Sequence, residues 1–181
     1  MDHIIDTNVL LVASARHPIS PFRDCDHVPV EQQQTVLDWL MEFRKDGQRQ
    51  IVLDLSCKIL DEYHNKLTRG QDLGSLVVME KMQLGQVRFV KVVYDQHGHG
   101  CLPPVLEKVV HDRSDRKFVA AAMIDLSNGD ESTIINAVDT DWYAWETALK
   151  RAGITVIHLN DGLGTQTQGL AKPKARSKTK R

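Results

Sequence analysis

Residues 3–10 read HIIDTNVL, a short apolar run that an aspartate interrupts. Such a run is typical of a strand buried within a parallel sheet, and Asp6 would stand at its carboxyl end. Similar short apolar runs occur further along the chain, and longer segments with helical periodicity separate them. We therefore predict a parallel sheet with helices on both faces. The predicted strands cover residues 3–5, 51–53, 87–93, 133–138 and 154–159, and the helical segments cover 36–43, 59–67, 73–84, 118–126 and 142–152.

The composition is that of one globular domain with an ordinary core: 181 residues, 41% hydrophobic and 26% charged. No apolar run reaches the length of about 18 residues that a membrane span requires, so we expect neither a signal peptide nor a membrane segment. The three cysteines, Cys25, Cys57 and Cys101, are widely spaced and odd in number. This spacing argues against a disulfide framework, and the prediction is a cytoplasmic protein with no membrane partner.

The charge is distributed unevenly along the chain. The last ten residues contain six basic residues and no acid, and removing these six from the net charge of -1 leaves about -7 for the rest. We predict one domain over residues 1–160 and a basic, disordered tail over residues 161–181. An acidic body is unusual for a protein that binds nucleic acid, so the tail is the candidate for phosphate contacts. The residues assigned to these contacts are Lys172, Lys174 and Arg176.

Acidic residues occur where ligands bind in parallel α/β sheets, beyond the carboxyl ends of the strands. Asp6 follows the first predicted strand and Asp139 follows the fourth. Asp115 lies three residues before Phe118, on the apolar side of its predicted helix, although an acid there could simply complement the helix dipole. Two carboxylates about 4 Å apart repel by roughly 4 kcal/mol at an effective dielectric near 20, so converging acids need a cation or protons.

Four segments of the chain resemble the motifs of the PIN-domain nucleases. Residues 5–10 (IDTNVL) are similar to the opening strand with its first aspartate, and residues 51–63 to the second strand and the helix that carries a glutamate, here Glu62. Residues 112–122 (DRSDRKFVAAA) resemble the third motif, and residues 137–142 (AVDTDW) resemble the fourth. Each motif alone is common, but the four appear in the family's order over residues 3–159.

The resemblance implies a three-layer α/β/α sandwich with about five parallel strands and a metal-dependent ribonuclease activity. Its implied catalytic and metal-binding residues are Asp6, Glu62, Asp115 and Asp139. Oxygen ligands without a histidine cluster favour Mg²⁺ or Mn²⁺. The implied substrate is single-stranded RNA, with DNA as the alternative, and the implied partners are an antitoxin protein and a second copy of the chain. Auxiliary acids are Asp112 and Asp141, and supporting hydroxyl or amide groups are those of Thr7, Asn8 and Thr140.

Other interpretations of these motifs stay open at this point. His97, His99 and Cys101 are zinc-ligand types, although they lack a clear fourth ligand, and a glycine-rich loop that touches substrate is the favoured interpretation. Asp139 and Asp141 also fit a magnesium-dependent phosphatase, for which Asp6 would be dispensable. Ala137, which stands where family members usually carry Ser or Thr, and the acidic body suit a PIN-like module that binds RNA or protein without cutting.

Overall fold

A computed structural model describes residues 2–68 and 70–160. The predicted tail, with Lys172, Lys174 and Arg176, lies outside these residues. The described residues form five strands and seven helices. Their bounds are β1 Asp2–Ile5, α1 Thr7–Arg16, α2 Val30–Lys45, β2 Ile51–Asp54, α3 Lys58–Lys66, α4 Leu73–Gln83, β3 Val87–Val90, α5 Pro104–Val109, α6 Arg116–Ser127, β4 Ser132–Asn136, α7 Asp141–Arg151 and β5 Thr155–His158.

The five strands form one parallel sheet in the order β3-β2-β1-β4-β5, which confirms the predicted fold class. The chain moves outward from β1 to β3 and then returns to the other side of β1 through β4. Right-handed crossovers therefore place α1 to α4 on one face of the sheet and α5 to α7 on the other. The strand order reverses between β1 and β4, and this is where parallel α/β sheets open a ligand crevice at their carboxyl ends.

Two helices were not predicted from the sequence, and each has a physical reason. Helix α1 is buried from Thr7 to Ser14, so it lacks the apolar stripe by which a surface helix is recognised. Helix α5 has only six residues and begins at Pro104, just after the glycine-rich loop that carries His97, His99 and Cys101. Proline is tolerated in a first helical turn, where its missing N–H has no intrahelical acceptor.

Two strands end at least two residues earlier than predicted. Strand β3 ends at Val90 and β4 ends at Asn136, two residues before the predicted limit at Val138. The buried Asn136 side chain hydrogen-bonds to the chain that follows it, which turns the backbone out of the sheet. Asp139 therefore lies in the turn after β4 and not directly at the strand end.

The helices on the α1 side pack closely. A Cβ atom on Gly74 of α4 would lie 2.7 Å from Leu10 Cβ and 2.9 Å from the Leu10 carbonyl oxygen, so only glycine allows this approach of α4 to α1. The backbone N–H of Gly74 donates to Ser14 Oγ at 2.9 Å. Within the part of the chain that the structure describes, no helix has the length and apolar character to cross a bilayer.

Candidate metal centre

Asp6 lies between β1 and α1 at the sheet's carboxyl end, and it is 5% exposed. Its Oδ1 accepts a hydrogen bond from the backbone N–H of Asn8 at 2.9 Å, and its Oδ2 accepts one from the indole Nε1–H of Trp142 in α7. Burial raises the pKa of Asp6 to about 7 despite these donors, and the charges of Asp139 and Glu62 contribute to the increase. The carboxylate is thus fixed in orientation and close to two other acids.

Glu62 on α3 accepts hydrogen bonds at both of its carboxylate oxygens. Thr7 Oγ1 donates to Oε1 at 2.5 Å, and Lys117 Nζ on α6 lies 2.5 Å from Oε2. The Lys117 ammonium also donates to the Ser114 carbonyl and lies 4.8 Å from the centre of the Phe118 ring. The side chains of Glu62 and Lys117 are 19% and 9% exposed, so this is a largely buried ion pair.

A pair of buried asparagines joins β4 to the start of α1. Asn8 Nδ2 donates to Asn136 Oδ1 at 3.0 Å, and Asn8 Oδ1 accepts from the Ala137 N–H at 2.8 Å. Asn136 in turn accepts from the Asp139 N–H at 3.0 Å and donates from Nδ2 to the Asp139 carbonyl at 2.9 Å. These bonds fix the turn that presents Asp139 beside Asp6.

Three further aspartates converge next to this turn. Asp115 is the N-cap residue of α6, Asp141 is the first residue of α7, and Asp112 precedes α6. One carboxylate oxygen from each can be chosen so that all three lie within 4.8 Å of one another, and Asp115 is buried. A metal ion is commonly bound by three or more acidic, histidine or cysteine side chains, and among the described residues these three aspartates have the spacing for it. We call Asp112, Asp115 and Asp141 the aspartate triad, and Asp6, Glu62 and Asp139 the Asp6 group.

The structure therefore divides the four acids predicted from the sequence between two adjoining groups. Asp139 and Glu62 both act electrostatically on Asp6, whereas Asp115 lies with the two acids that were assigned an auxiliary role. The backbone N–H of Asp141 donates to Asp139 Oδ1 at 2.9 Å, and this bond connects the two groups. Thr140 is the N-cap residue of α7, but its side chain makes no capping hydrogen bond.

The aspartate triad fits a small divalent cation. An octahedral ion with oxygen ligands at about 2.1 Å separates these oxygens by roughly 3 to 4.2 Å, and the three triad oxygens lie within 4.8 Å of one another. Asp112 Oδ1 accepts hydrogen bonds from the N–H and the Oγ of Ser114 at 2.9 and 2.6 Å. These bonds orient one ligand before any ion binds. Carboxylate-only donors favour Mg²⁺ or Mn²⁺ over zinc.

Hydrogen bonds to Asp95 fix the loop that contains His97 and His99, and these two histidines are not part of the group with metal-ligand spacing found among the described residues. Asp95 Oδ1 accepts from the backbone N–H groups of His97 and His99 at 2.8 and 2.9 Å, and these bonds hold the pKa of Asp95 down at about 2. Tyr94 and Gly100 form an antiparallel bridge that closes the loop. A Cβ on Gly100 would lie 2.8 Å from the Lys117 Cα, so the loop packs against the start of α6 beside the site.

Several residues that shape the site were not identified from the sequence. Asp54 is fully buried and accepts from the N–H groups of Lys58 and Ile59 at 3.0 and 2.8 Å, which fixes the start of the helix that carries Glu62. Lys117 and Trp142 also contact site carboxylates, and neither was named as a site residue from the sequence. One signal could have identified Lys117: it follows the candidate ligand Asp115 by two residues, in a helix turn expected to face the core. A lysine charge buried there needs an acidic partner.

Comparisons with protein-family models, with curated proteins and with solved structures find no match for this chain. The likeness to the PIN-domain nucleases therefore remains a resemblance of four sequence segments. Support for a function comes from the chemistry of the two acidic groups and from their position at the reversal point of the sheet.

Proposed function

We propose that this chain is a divalent-metal-dependent endoribonuclease of the PIN type. The observation that carries the proposal is the aspartate triad, whose carboxylate oxygens lie at metal-ligand spacing. The triad adjoins Asp6 and Asp139 at the carboxyl end of the sheet, where parallel α/β proteins bind their ligands. Six acids in one crevice repel each other strongly, and a bound cation offsets this repulsion.

Different residues of the crevice would have different roles in the reaction. The triad would hold Mg²⁺ or Mn²⁺, and such an ion supplies activation of a water molecule and neutralisation of charge on the phosphate. Glu62, held by Thr7 and Lys117, would orient the attacking water. Asp6, whose pKa is raised to about 7, is suited to take up a proton from that water at neutral pH. Hydrolysis would leave 5'-phosphate and 3'-hydroxyl ends.

The proposed substrate is single-stranded RNA, and the proposed biological role is that of a toxin with a cognate antitoxin. These two points rest on the resemblance of the four motifs. A toxin would arrest growth when its expression is induced, and the Asp115→Asn variant would not. Growth that continues at full expression of the wild-type chain, together with RNA cleavage in vitro, would favour a role in RNA processing.

The decisive experiment incubates end-labelled single-stranded RNA and DNA with the protein in Mn²⁺ or Mg²⁺. We expect cleavage of RNA that stops with a chelator and in the Asp6→Asn and Asp115→Asn variants. The matched control is Asp61→Asn, which removes an exposed acid from the same helix as Glu62 and should cleave at the wild-type rate. Product ends are read by their capacity for ligation, which requires a 5'-phosphate and a 3'-hydroxyl.

Each alternative function predicts a different result. A phosphatase that uses Asp139 and Asp141 would hydrolyse small phosphate esters and would tolerate Asp6→Asn. A binding module would retain RNA in a mobility-shift assay without cutting it. Cleavage that persists with chelator and in both variants would contradict the proposed endoribonuclease.

A further inference from the structure

Lys117 is a buried lysine of the crevice, and its ammonium forms an ion pair with Glu62. Its Nζ lies 2.5 Å from Glu62 Oε2 and also donates to the Ser114 carbonyl, two residues from Asp112. The side chain is 9% exposed, so its position is set by these contacts and by the ring of Phe118. A buried ammonium requires such compensation, because an unpaired charge is costly to remove from water.

The contacts of Lys117 distinguish Glu62 from the members of the aspartate triad. Glu62 receives a hydroxyl at one oxygen and an ammonium at the other, both at 2.5 Å. A divalent ion at Glu62 would have to approach Lys117 Nζ at close range, and two like charges at such a distance repel strongly in a buried site. Within the triad the structure places carboxylate oxygens next to one another.

We propose that Lys117 is a positioning residue that occupies the place of a second cation at Glu62, so that the crevice binds one divalent ion, at the aspartate triad. The inference rests on the proposed function in one respect, because the triad must bind an ion. It deepens that function by assigning Glu62 to water orientation and not to direct ligation. It also assigns the number of ions, which the sequence leaves open.

The test counts the Mn²⁺ ions that bind to the full chain by isothermal titration calorimetry, with Mn²⁺ electron paramagnetic resonance as a second readout. We expect one ion for the wild type and two for Lys117→Met, since loss of the ammonium leaves Glu62 as an available anion. Lys117→Arg keeps the charge and should bind one ion. In Lys117→Met combined with Glu62→Gln, the second ion should be lost.

The matched control is Lys150→Met, which makes the same change at an exposed position near the end of α7 and should bind one ion. Lys117→Gln retains a donor for the Ser114 carbonyl and is measured in parallel, with the same expectation of two ions. If neither neutral variant folds, Glu62→Gln alone decides, and it should still bind one ion.

Four results would overturn the inference. Two ions in the wild type, one ion in both neutral Lys117 variants, a second ion that persists without Glu62, or loss of the ion in Glu62→Gln would each contradict it. The first of these leaves the proposed nuclease intact. Absence of any Mn²⁺ binding by the wild type would instead contradict the proposed function itself, so the two failures are distinguishable.

Discussion

The two acidic groups of the crevice differ in how the protein compensates their charge. In the Asp6 group, Asp6 accepts from a backbone N–H and an indole, and Glu62 accepts from a hydroxyl and an ammonium. In the aspartate triad, the carboxylates come together with oxygens of three acids within 4.8 Å. Donors of the chain contact both oxygens of Asp6 and of Glu62, whereas the triad, in which Ser114 donates to Asp112, has the ligand spacing of a cation site.

The comparison indicates that acids in one crevice can have different roles. Carboxylates that accept hydrogen bonds at both oxygens are fixed in orientation and suit the handling of water and protons. Carboxylates that converge on one another suit ligation of a hard cation. Variants that affect one group and spare the other can separate these roles.

The largest expected effect follows from removal of a triad acid. Asp141→Asn should lower the rate of RNA cleavage at least about a hundredfold, because metal assistance supplies several kcal/mol and each tenfold in rate corresponds to about 1.36 kcal/mol. The measurement is kcat/KM on a single-stranded RNA in saturating Mn²⁺. Asp61→Asn serves as the control, and equal rates for the two variants would place the metal outside the triad.

The next effect is stabilisation by the metal. A ligand that binds only the folded state, present at about 100 times its Kd, stabilises the fold by about 2.7 kcal/mol. For a domain of this size this corresponds to an increase of roughly 5 to 10 °C in Tm. We expect Mn²⁺ to raise the Tm of the wild type and of Trp142→Phe, but not that of Asp115→Asn. An equal increase in Asp115→Asn would show that the ion binds elsewhere.

The sheet was predictable because its determinants are local. The apolar runs of β1, β2 and β4 are short and end at polar residues, and these signals predict buried parallel strands. Helix α1 was missed since burial on all sides removes helical periodicity. Position relative to strand ends also singled out Asp6 and Asp139 as candidate site residues, and in the structure the charge of Asp139 raises the pKa of Asp6.

The division of the acids into two groups could not be predicted from the sequence. It depends on contacts across long sequence separations, such as Lys117 with Glu62 and Trp142 with Asp6. It also depends on the turn set by Asn136, which moves Asp139 away from the strand end and brings Asp141 to the triad. Side-chain reach and backbone turns of this kind are properties of the packed chain.

A smaller effect on activity is expected to distinguish alanine substitutions at two tightly packed glycines, Gly74 and Gly100. A Cβ at Gly100 would meet the Arg116 carbonyl and the Lys117 Cα at 2.8 Å, and a Cβ at Gly74 would meet Leu10 at 2.7 Å. Each alanine variant should lose about 1 to 3 kcal/mol in free energy of unfolding, because backbone must move. Gly100→Ala should in addition lose roughly tenfold or more in kcat, since the start of α6 carries Asp115 and Lys117.

Urea denaturation gives the stabilities of both glycine variants, and kcat is then measured at a temperature at which both are folded. Gly74→Ala is the control, because its contact joins α1 to α4 and involves no acid of either group. Equal kcat values for the two variants would contradict the assignment of the site to the start of α6.

The smallest effect concerns the titration of Asp6 in the metal-free protein. Burial raises the pKa of this carboxyl to about 7, so it should be largely protonated at pH 6 and largely ionised at pH 8. Trp142→Phe removes the Nε1–H donor that stabilises the anion and should shift the titration to higher pH. Carboxyl ¹³C NMR in chelator measures both midpoints. A midpoint near 4 in the wild type would show that Asp6 is well solvated. That result would contradict the proposed role of Asp6 in taking up a proton, and with it the proposed difference between the Asp6 group and the aspartate triad.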